Sequence, residues 1–482
     1  MSADTGAPEP SPRSRREKTS LVIRGVAPLV AALVALYLLP ESLEPPARWA
    51  LAITAGTLAA WVLRPVPLAA TSIPVVFALG ATGAASASGA VAGFGSSATL
   101  LLVAGFMMAS AIDKTPLARR LTYLFLLRVP PNSGGVLGGL LVALAVAAVF
   151  VPSTVVRAVA FLPVVVVVAG AFARRGSSNG AKRLMIGLAF GATLGGIAIF
   201  PAAIVNVLAV DLVVGAGGER ITYFGWFALT WPIEALAFLT LWGGLVLLFP
   251  TRDEEPLDRT AVADNLSELG PTQSAEWRLA GILLLTAVLW MLEPITGWHP
   301  SVPAFLAVSL LAISPLRVIS WDDALDISWG SVFMFGASLS LALTLRDTGA
   351  ADWVGEQLFG AGIGDFARLG VIAGVLAVAV MMLVFQLAFA GSTPAAATLL
   401  PILLAASGAL RLPAEVIGMT VALAGLATFV LPSQAMSNLV TYQTGLYKAR
   451  DLLKIGLLLT LVFLAILAAT ALVWWRPVGF LE

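Results

Sequence analysis

The chain has 482 residues, 59% of them hydrophobic and only 11% charged, with a mean hydropathy of +0.95. Soluble domains run nearer half apolar and a quarter charged, so a water-soluble globular protein is excluded. A net charge of +1 points to no nucleic-acid partner, and the lack of cysteine removes disulfides, thiolate nucleophiles and cysteine metal sites. The lone histidine, His299, sits in the connector from Thr296 to Pro300 and falls short of the several converging ligands a metal centre needs. A bilayer core takes roughly 20 apolar residues per helix, and the chain holds about eleven such runs, which predicts an all-α polytopic membrane protein.

Residues 1–20 are polar, basic and proline-bearing, without the apolar periodicity of a folded element, and are expected to be a flexible, uncleaved tail. Spans are predicted at about 24–41, 47–63, 67–84 and 96–112. Lys114, Arg119, Arg120 and Arg128 then alternate with leucines, which suits a helix lying in the interface. The stretch at about 134–173 is an apolar arm, a polar knot at Pro152, Ser153 and Thr154, and an outgoing arm carrying Pro163; Arg174, Arg175, Lys182 and Arg183 follow it. It reads as a re-entrant hairpin, because a polar non-helical turn at bilayer depth is tolerated only where protein or a water-filled cavity receives its free backbone groups. The run at 184–215 contains Gly195, Gly196 and Pro201 and is predicted to be a broken helix. A span at 221–250 leads to the one long polar linker, Thr251 to Glu276.

The second half repeats this grammar. Spans are expected at about 277–294, 301–316 and 329–345, followed by an interfacial stretch from Arg346 to Phe359. A second hairpin at about 366–408 has the knot Gly391, Ser392 and Thr393 and an outgoing arm with Pro401. A broken run at 413–440 carries Pro432 and Ser433, and a last span covers 452–475. The expected organisation is a tail (1–20), a first span plus first repeat (21–250), a linker (251–276) and a second repeat (277–482). Weak local echoes join the halves, among them Pro163 with Pro401 and Asn206 with Asn438. Arginine and lysine collect in the tail, the first interfacial stretch, the ends of the first hairpin and the linker, which places these and the N-terminus in the cytoplasm and the C-terminus outside. An odd span count then inverts the second repeat relative to the first, an arrangement suited to alternating access.

Small residues at a tip let backbone approach a ligand, hydroxyls donate to an anion, and the half-helix N-terminus adds a positive dipole end. Ser153, Thr154, Gly391, Ser392 and Thr393 have that character; ordinary helix packing is the competing explanation. Arg157, three positions past Thr154, is the one charge in the first hairpin and is expected either to meet an anion or to pair structurally, with Glu234 as the candidate. Gly195, Gly196, Asn206, Pro432, Ser433 and Asn438, with the tip residues Ser153, Thr154 and Ser392, are candidates to offer oxygens to a cation. Asp211, Asp347 and Glu415 fall near span ends, where solvation explains them. An intramembrane enzyme would need paired acids, a histidine-metal cluster or a serine with a base, and the sequence shows none.

Three segments resemble the divalent-anion sodium symporters, across roughly residues 95–475: Ile319 to Leu358, the two hairpin tips with their downstream prolines, and the stretches around Asn206 and Asn438. The resemblance implies a homodimer in the cell membrane. A mobile domain of hairpins and broken helices would slide past a fixed scaffold to carry di- or tricarboxylates or sulfate, by sodium symport or anion exchange. It implies no cofactor besides sodium as a coupling ion. By position Ser153, Thr154 and Val155 fall on the family's first Ser-Asn-Thr tip triplet, and Gly391, Ser392 and Thr393 on the second, so both asparagines are replaced. The spacing from Pro152 to Arg157 is similar to the exchanger branch that includes citrate and oxoglutarate translocators. A carrier of a small organic anion is therefore expected; the alternatives are a carrier of a sulfonate, sulfate or amino acid, and a channel.

Overall fold

The computed structural model describes residues 15–63, 65–252, 254–313, 315–358, 369–389 and 391–481, and among these it is helical, with no strand. Helices α1 (Arg15–Leu38) and α2 (Pro45–Leu63) pair, and a 3-10 turn at Leu68–Thr71 leads into α3 (Ser72–Ala81). The short α4 (Ala87–Val91) and its 3-10 extension to Gly95 meet α5 (Ser97–Asp113) at a bend of 43°. After α6 (Leu117–Leu126) come α7 (Ser133–Ala148), α8 (Thr154–Arg174), α9 (Ser178–Leu194), α10 (Ile204–Gly215) and α11 (Tyr223–Leu248). The linker carries α12 (Arg259–Glu268). The second half comprises α13 (Ser274–Met291), α14 (Glu293–Thr296), α15 (Ser301–Ala312), α16 (Trp321–Leu325), α17 (Trp329–Asp347) and α18 (Ala350–Leu358). It closes with α19 (Val371–Phe385), α20 (Ser392–Ala405), α21 (Ser407–Leu410), α22 (Ala414–Leu426), α23 (Met436–Tyr442) and α24 (Ala449–Thr470).

Local sequence explains many of the starts. A helix leaves its first N–H groups without internal partners, so a polar residue just ahead of it is favoured. Asn132 accepts from Gly135 N at 2.7 Å ahead of α7, and Asp258 from Thr260 N at 2.9 Å ahead of α12. Ser96, Ser177 and Thr222 do the same for α5, α9 and α11. Among the described residues four helices are long and apolar enough to cross a membrane: Thr154–Arg174, Tyr223–Leu248, Ser274–Met291 and Ala449–Trp475. The bent pair Ala87–Gly95 and Ser97–Asp113 makes a fifth if it counts as one. Other expected spans correspond to shorter apolar helices, such as Ser133–Ala148, Ile204–Gly215 and Ser301–Ala312, because non-helical breaks divide the apolar runs.

The two halves pack alike. Helices α7 and α8 both lie on α9, and α19 and α20 both lie on α22. Each broken run then crosses the other: α10 packs on α22 and on α20, while α23 packs on α9 and on α8. The breaks at 195–203 and 427–435 are thereby enclosed in one apolar core, with Phe190 edge-on to Phe429 at 5.1 Å.

Three expectations change in detail. Residues 15–20 of the expected tail are helical, as the start of α1; residues 1–14 lie outside the described residues, as do 359–368, where the second interfacial stretch ends and the second hairpin was expected to begin. The third expected span is shorter and enters through a 3-10 turn, since Pro74 has no N–H to donate four residues back to Ala70 O and is accommodated only in the first turn of a helix that begins at Ser72. The linker is built rather than irregular. Glu254 accepts from Ser133 N (3.1 Å), Ser133 Oγ (2.9 Å) and Ser177 Oγ (2.8 Å), joining the start of α7 to the turn after α8. The buried Arg183 donates to Ser133 Oγ and to Thr251 Oγ1 beside it.

Ion pairs sit on connectors. Arg120 meets Glu276 at 2.8 Å, Lys114 meets Asp323 at 2.8 Å, and Lys182 meets Asp451 at 3.3 Å. Beyond α10, Arg220 pairs with Glu293 at 3.0 Å, and Asp211 faces His299 Nε2 at 3.3 Å. With Asp211 facing His299, all three acids assigned to solvation have partners of their own: Asp347 pairs with its neighbour Arg346, and Glu415 accepts from Glu219 N.

Candidate functional site

The chain leaves α7 at Ala148 and enters α8 at Thr154, where Ser153 is extended and its Oγ accepts from Val156 N at 3.4 Å. The second tip leaves α19 through a 3-10 turn at Gln386–Ala388 and enters α20 at Ser392. Gly391 there has φ 153°, a conformation side chains disfavour, and no side chain caps the helix after it. Ser153, Thr154, Val155, Gly391, Ser392 and Thr393 all line one cavity of about 140 Å³. Its walls are completed by Ala203, Ile204 and Val205 at the start of α10, by Ala435 and Met436 at the start of α23, and by Leu426 and Pro394. The cavity thus collects the first turns of α8, α10 and α20, whose N–H groups lack intrahelical partners and carry the positive end of each helix dipole. The hydroxyls of Thr154, Ser392 and Thr393 make no hydrogen bond among the described residues.

The breaks behind the cavity are wired in parallel. Asn206 Nδ2 donates to Gly196 O at 2.8 Å and Ile199 O at 3.5 Å; Asn438 Nδ2 donates to Thr428 O at 2.6 Å and Leu431 O at 3.4 Å. In both halves the amide reaches back ten and seven residues. Both Oδ1 atoms are buried and unpartnered, as is Thr428 Oγ1 in the second break. Buried polar atoms are nearly always paired, so these three oxygens stand out, and oxygen is the donor type that a hard cation prefers. Gly195 and Gly196 belong to the first break, while Pro432 and Ser433 lie in a half-buried 3-10 turn of the second. Of these four, Gly196 is the one whose carbonyl an asparagine holds directly.

Arg157 stands outside the cavity. It is fully buried, and its guanidinium donates to Val151 O (2.7 Å), Ala202 O (2.8 Å) and Ala192 O (2.9 and 3.2 Å). It ties the first tip to both sides of the first break. Glu234, the nearby acid, is taken by Ala198 N at 2.6 Å, and Trp226 Nε1 donates to Ile197 O at 2.8 Å. The second break is held differently: Gln434 Oε1 accepts from Val430 N and Leu431 N, both at 2.8 Å, and Gln386 Nε2 donates to Ala424 O and Ala427 O. Gln386 is an amide in an otherwise apolar arm, a signal the sequence offered and the tip pattern obscured. Leu102 and Phe106 from α5, with Ser331, Met334 and Phe335 from α17, also line the cavity; their residue types are those of any apolar helix, so nothing in the sequence marked them. Among the described residues no group of three or more His, Cys, Asp or Glu side chains could hold a metal ion.

Comparison with known proteins covers nearly the whole chain. Residues 19–481 match the family described as the sodium:sulfate symporter transmembrane region. A Cupriavidus necator membrane protein is 27% identical over 478 residues, covering 95% of this chain and 93% of the relative. The L-tartrate/succinate antiporter of Escherichia coli K12 is 26% identical, covering 94% and 97%. The sodium-dependent dicarboxylate transporter SdcS of Staphylococcus saprophyticus is 22% identical, covering 92% and 89%. Among solved structures, Neisseria gonorrhoeae MtrF, described with a class of antimetabolite efflux pumps, gives a TM-score of 0.49 at 16% identity over 95% of this chain and 94% of that one. That likeness is too distant to bear on fold or function.

Proposed function

The chain belongs to the sodium:sulfate symporter family, a family of membrane transporters and not of enzymes, and from that premise we propose that it is a secondary active carrier of a small organic anion. The observation that carries this reading is the meeting of both tip triplets and three helix starts around one cavity of about 140 Å³. An anion there finds free hydroxyls on Thr154, Ser392 and Thr393 and the positive ends of α8, α10 and α20. It needs no cationic side chain, which leaves its charge to be balanced by whatever travels with it or against it. A carboxylate substrate is supported by the relatives named for tartrate, succinate and dicarboxylates.

Coupling follows from the two breaks. Asn206 Oδ1 in one, with Asn438 Oδ1 and Thr428 Oγ1 in the other, are the unpartnered oxygens that would bind sodium, each beside loop carbonyls that an unwound helix leaves available. Sodium symport uses both; anion exchange needs neither filled. Arg157 is assigned to position the tip against the break rather than to touch the anion, because four of its five N–H donors go to carbonyls and it does not line the cavity.

The wider reading is a chain of about eleven spans in two inverted repeats joined by a cytoplasmic linker, N-terminus inside and C-terminus outside, working as a homodimer. The crossed packing of α10 with α22 and α23 with α9 supports a mobile unit that moves as one body past α5, α13, α15 and α17 in an elevator motion. Uptake and counterflow in proteoliposomes, with tartrate and succinate among a panel of anions and with or without a sodium gradient, test the reading. Saturable counterflow is expected, and the double substitution Ser392→Ala, Thr393→Ala should weaken anion affinity by about a hundredfold or more, the cost of losing two charge-assisted hydrogen bonds worth roughly 1.5–3 kcal/mol each. Non-saturable flux that follows the gradient alone would replace the carrier with a channel.

A further inference from the structure

Four acids are buried among the described residues, and Glu234 is the one without an ion pair. Glu276, Glu293 and Asp451 lie at helix starts, where they meet Arg120, Arg220 and Lys182. Glu234 lies near the middle of the 26-residue α11, an apolar helix long enough to cross a membrane and without another charged residue. An acid at that depth is costly to keep, and where one is found it marks a proton or substrate path by default. Its Oε2 accepts from Ala198 N at 2.6 Å, inside the first break. Its Oε1 makes no hydrogen bond among the described residues and is not sealed, the residue keeping 9% of its surface, so this oxygen is free to take a proton. The charge that acts on Glu234 is Arg157, which reaches the same break from α8 and holds Ala192 O and Ala202 O on either side of it. The other charges on elements packed against α11 stand at helix starts: Lys182 and Arg183 on α9, Arg450, Asp451 and Lys454 on α24, Glu276 and Arg278 on α13, and Glu293 on α14. Helix α7 has none, and on α10 Asp211 is turned to His299.

An ionised Glu234 cancels the charge of Arg157, and the break behind the cavity is then neutral. A proton on Oε1 ends that cancellation and leaves one net positive charge there, without loss of the Ala198 bond. The break runs into Ala203, Ile204 and Val205 of the cavity wall, and no lining side chain carries a charge of its own. The uncancelled guanidinium therefore favours an anion in the cavity, and by reciprocity the anion favours the proton. We infer that Glu234 is a proton site and that the protein takes up a proton at the first break together with its anion; this rests on the carrier reading above and gives it a coupling ion. The empty unit returns with Glu234 ionised and its charge cancelled. The second break has no such site, since α24 has no acid beyond Asp451 and residues 427–435 hold no charge.

The test uses the purified full chain, with tartrate and sulfate as probes because both stay ionised from about pH 6 to about pH 8.5. Half-maximal thermal stabilisation is titrated across that range at fixed sodium, and proton uptake on binding is read with an indicator dye in weak buffer. Wild type is expected to bind about three- to tenfold more tightly at the acid end and to take up protons as it binds. Glu234→Gln keeps an oxygen for Ala198 N but cannot ionise; it should bind across the whole range as wild type does at the acid end, with no proton uptake. His299→Ala removes the one histidine and should leave the wild-type dependence in place. A flat wild-type profile with clear binding, or a dependence lost in His299→Ala and kept in Glu234→Gln, would overturn the inference while leaving the anion carrier standing. Silence from both probes, with no counterflow of any anion, would remove the carrier reading and this inference together. If Glu234→Gln does not fold, proton uptake compared between wild type and His299→Ala decides.

Discussion

Arg157 shows how the weight of a single charge is legible before its partners are. Its three-residue spacing from Thr154 suggested a shared face with the tip, yet the side chain runs to the carbonyls of Val151, Ala192 and Ala202. Arg157→Ala leaves three buried carbonyls short of donors, each costing about 1–3 kcal/mol. A fall in thermal stability of several kcal/mol is therefore expected, with Arg157→Lys recovering only part of it because one ammonium cannot span three acceptors. Unfolding followed by tryptophan fluorescence measures this; an unchanged midpoint with weakened anion binding would return Arg157 to the substrate. Asp323 is a milder case outside the spans. The Lys114 ammonium and then Ser320 hold its carboxyl at about 2, below the ordinary 3.8. Its stabilising contribution is thus fully present above about pH 4 and is lost as pH falls through 2. In Lys114→Met that acid-side loss should shrink in a pH series of melting curves.

At the scale of elements, close approach decides where change is tolerated. Gly456 of α24 lies so near the Phe429 carbonyl in the second break that any added Cβ must displace backbone, whereas Gly243 of α11 has open space. Gly456→Ala should cost about 2 kcal/mol or more through overpacking, and Gly243→Ala should be neutral or stabilising by up to about 1 kcal/mol through helix propensity. Melting temperatures of the pair check this, and equal shifts would contradict it. The element order was legible in the sequence because apolar runs, proline and glycine breaks and polar starts leave one-dimensional traces. Ser153, Thr154, Ser392 and Thr393 announced themselves as hydroxyls interrupting apolar arms. Phe106, Met334 and Phe335 did not, since a wall residue differs from a lipid-facing one only by which helix stands opposite. The parallel wiring of Asn206 and Asn438 was visible as an echo, but the ten- and seven-residue reach of each amide needed the folded break.

For the whole molecule, the proposed sliding motion must disturb the contacts that α10 and α11 make with the connectors around α14. Arg220 and the Tyr223 N–H share Glu293, and Asp211 faces His299. Glu293→Gln with His299→Ala should therefore raise the rate of substrate exchange more than it lowers the melting temperature, read from counterflow and unfolding on the same preparation; unchanged exchange would argue that these contacts ride with the moving part. The Glu254 clasp acts on a different clock. Ser133 waits for an acid 121 residues further along, which at 5–20 residues per second is roughly 6–24 s of synthesis. Until then the contacts of Glu254 with Ser133 and Ser177 cannot form, and Arg183 lacks its nearby acid. The linker therefore serves as a latch set by translation, and a nascent chain arrested at about residue 250 should expose the first hairpin to protease that a chain arrested at about residue 300 resists.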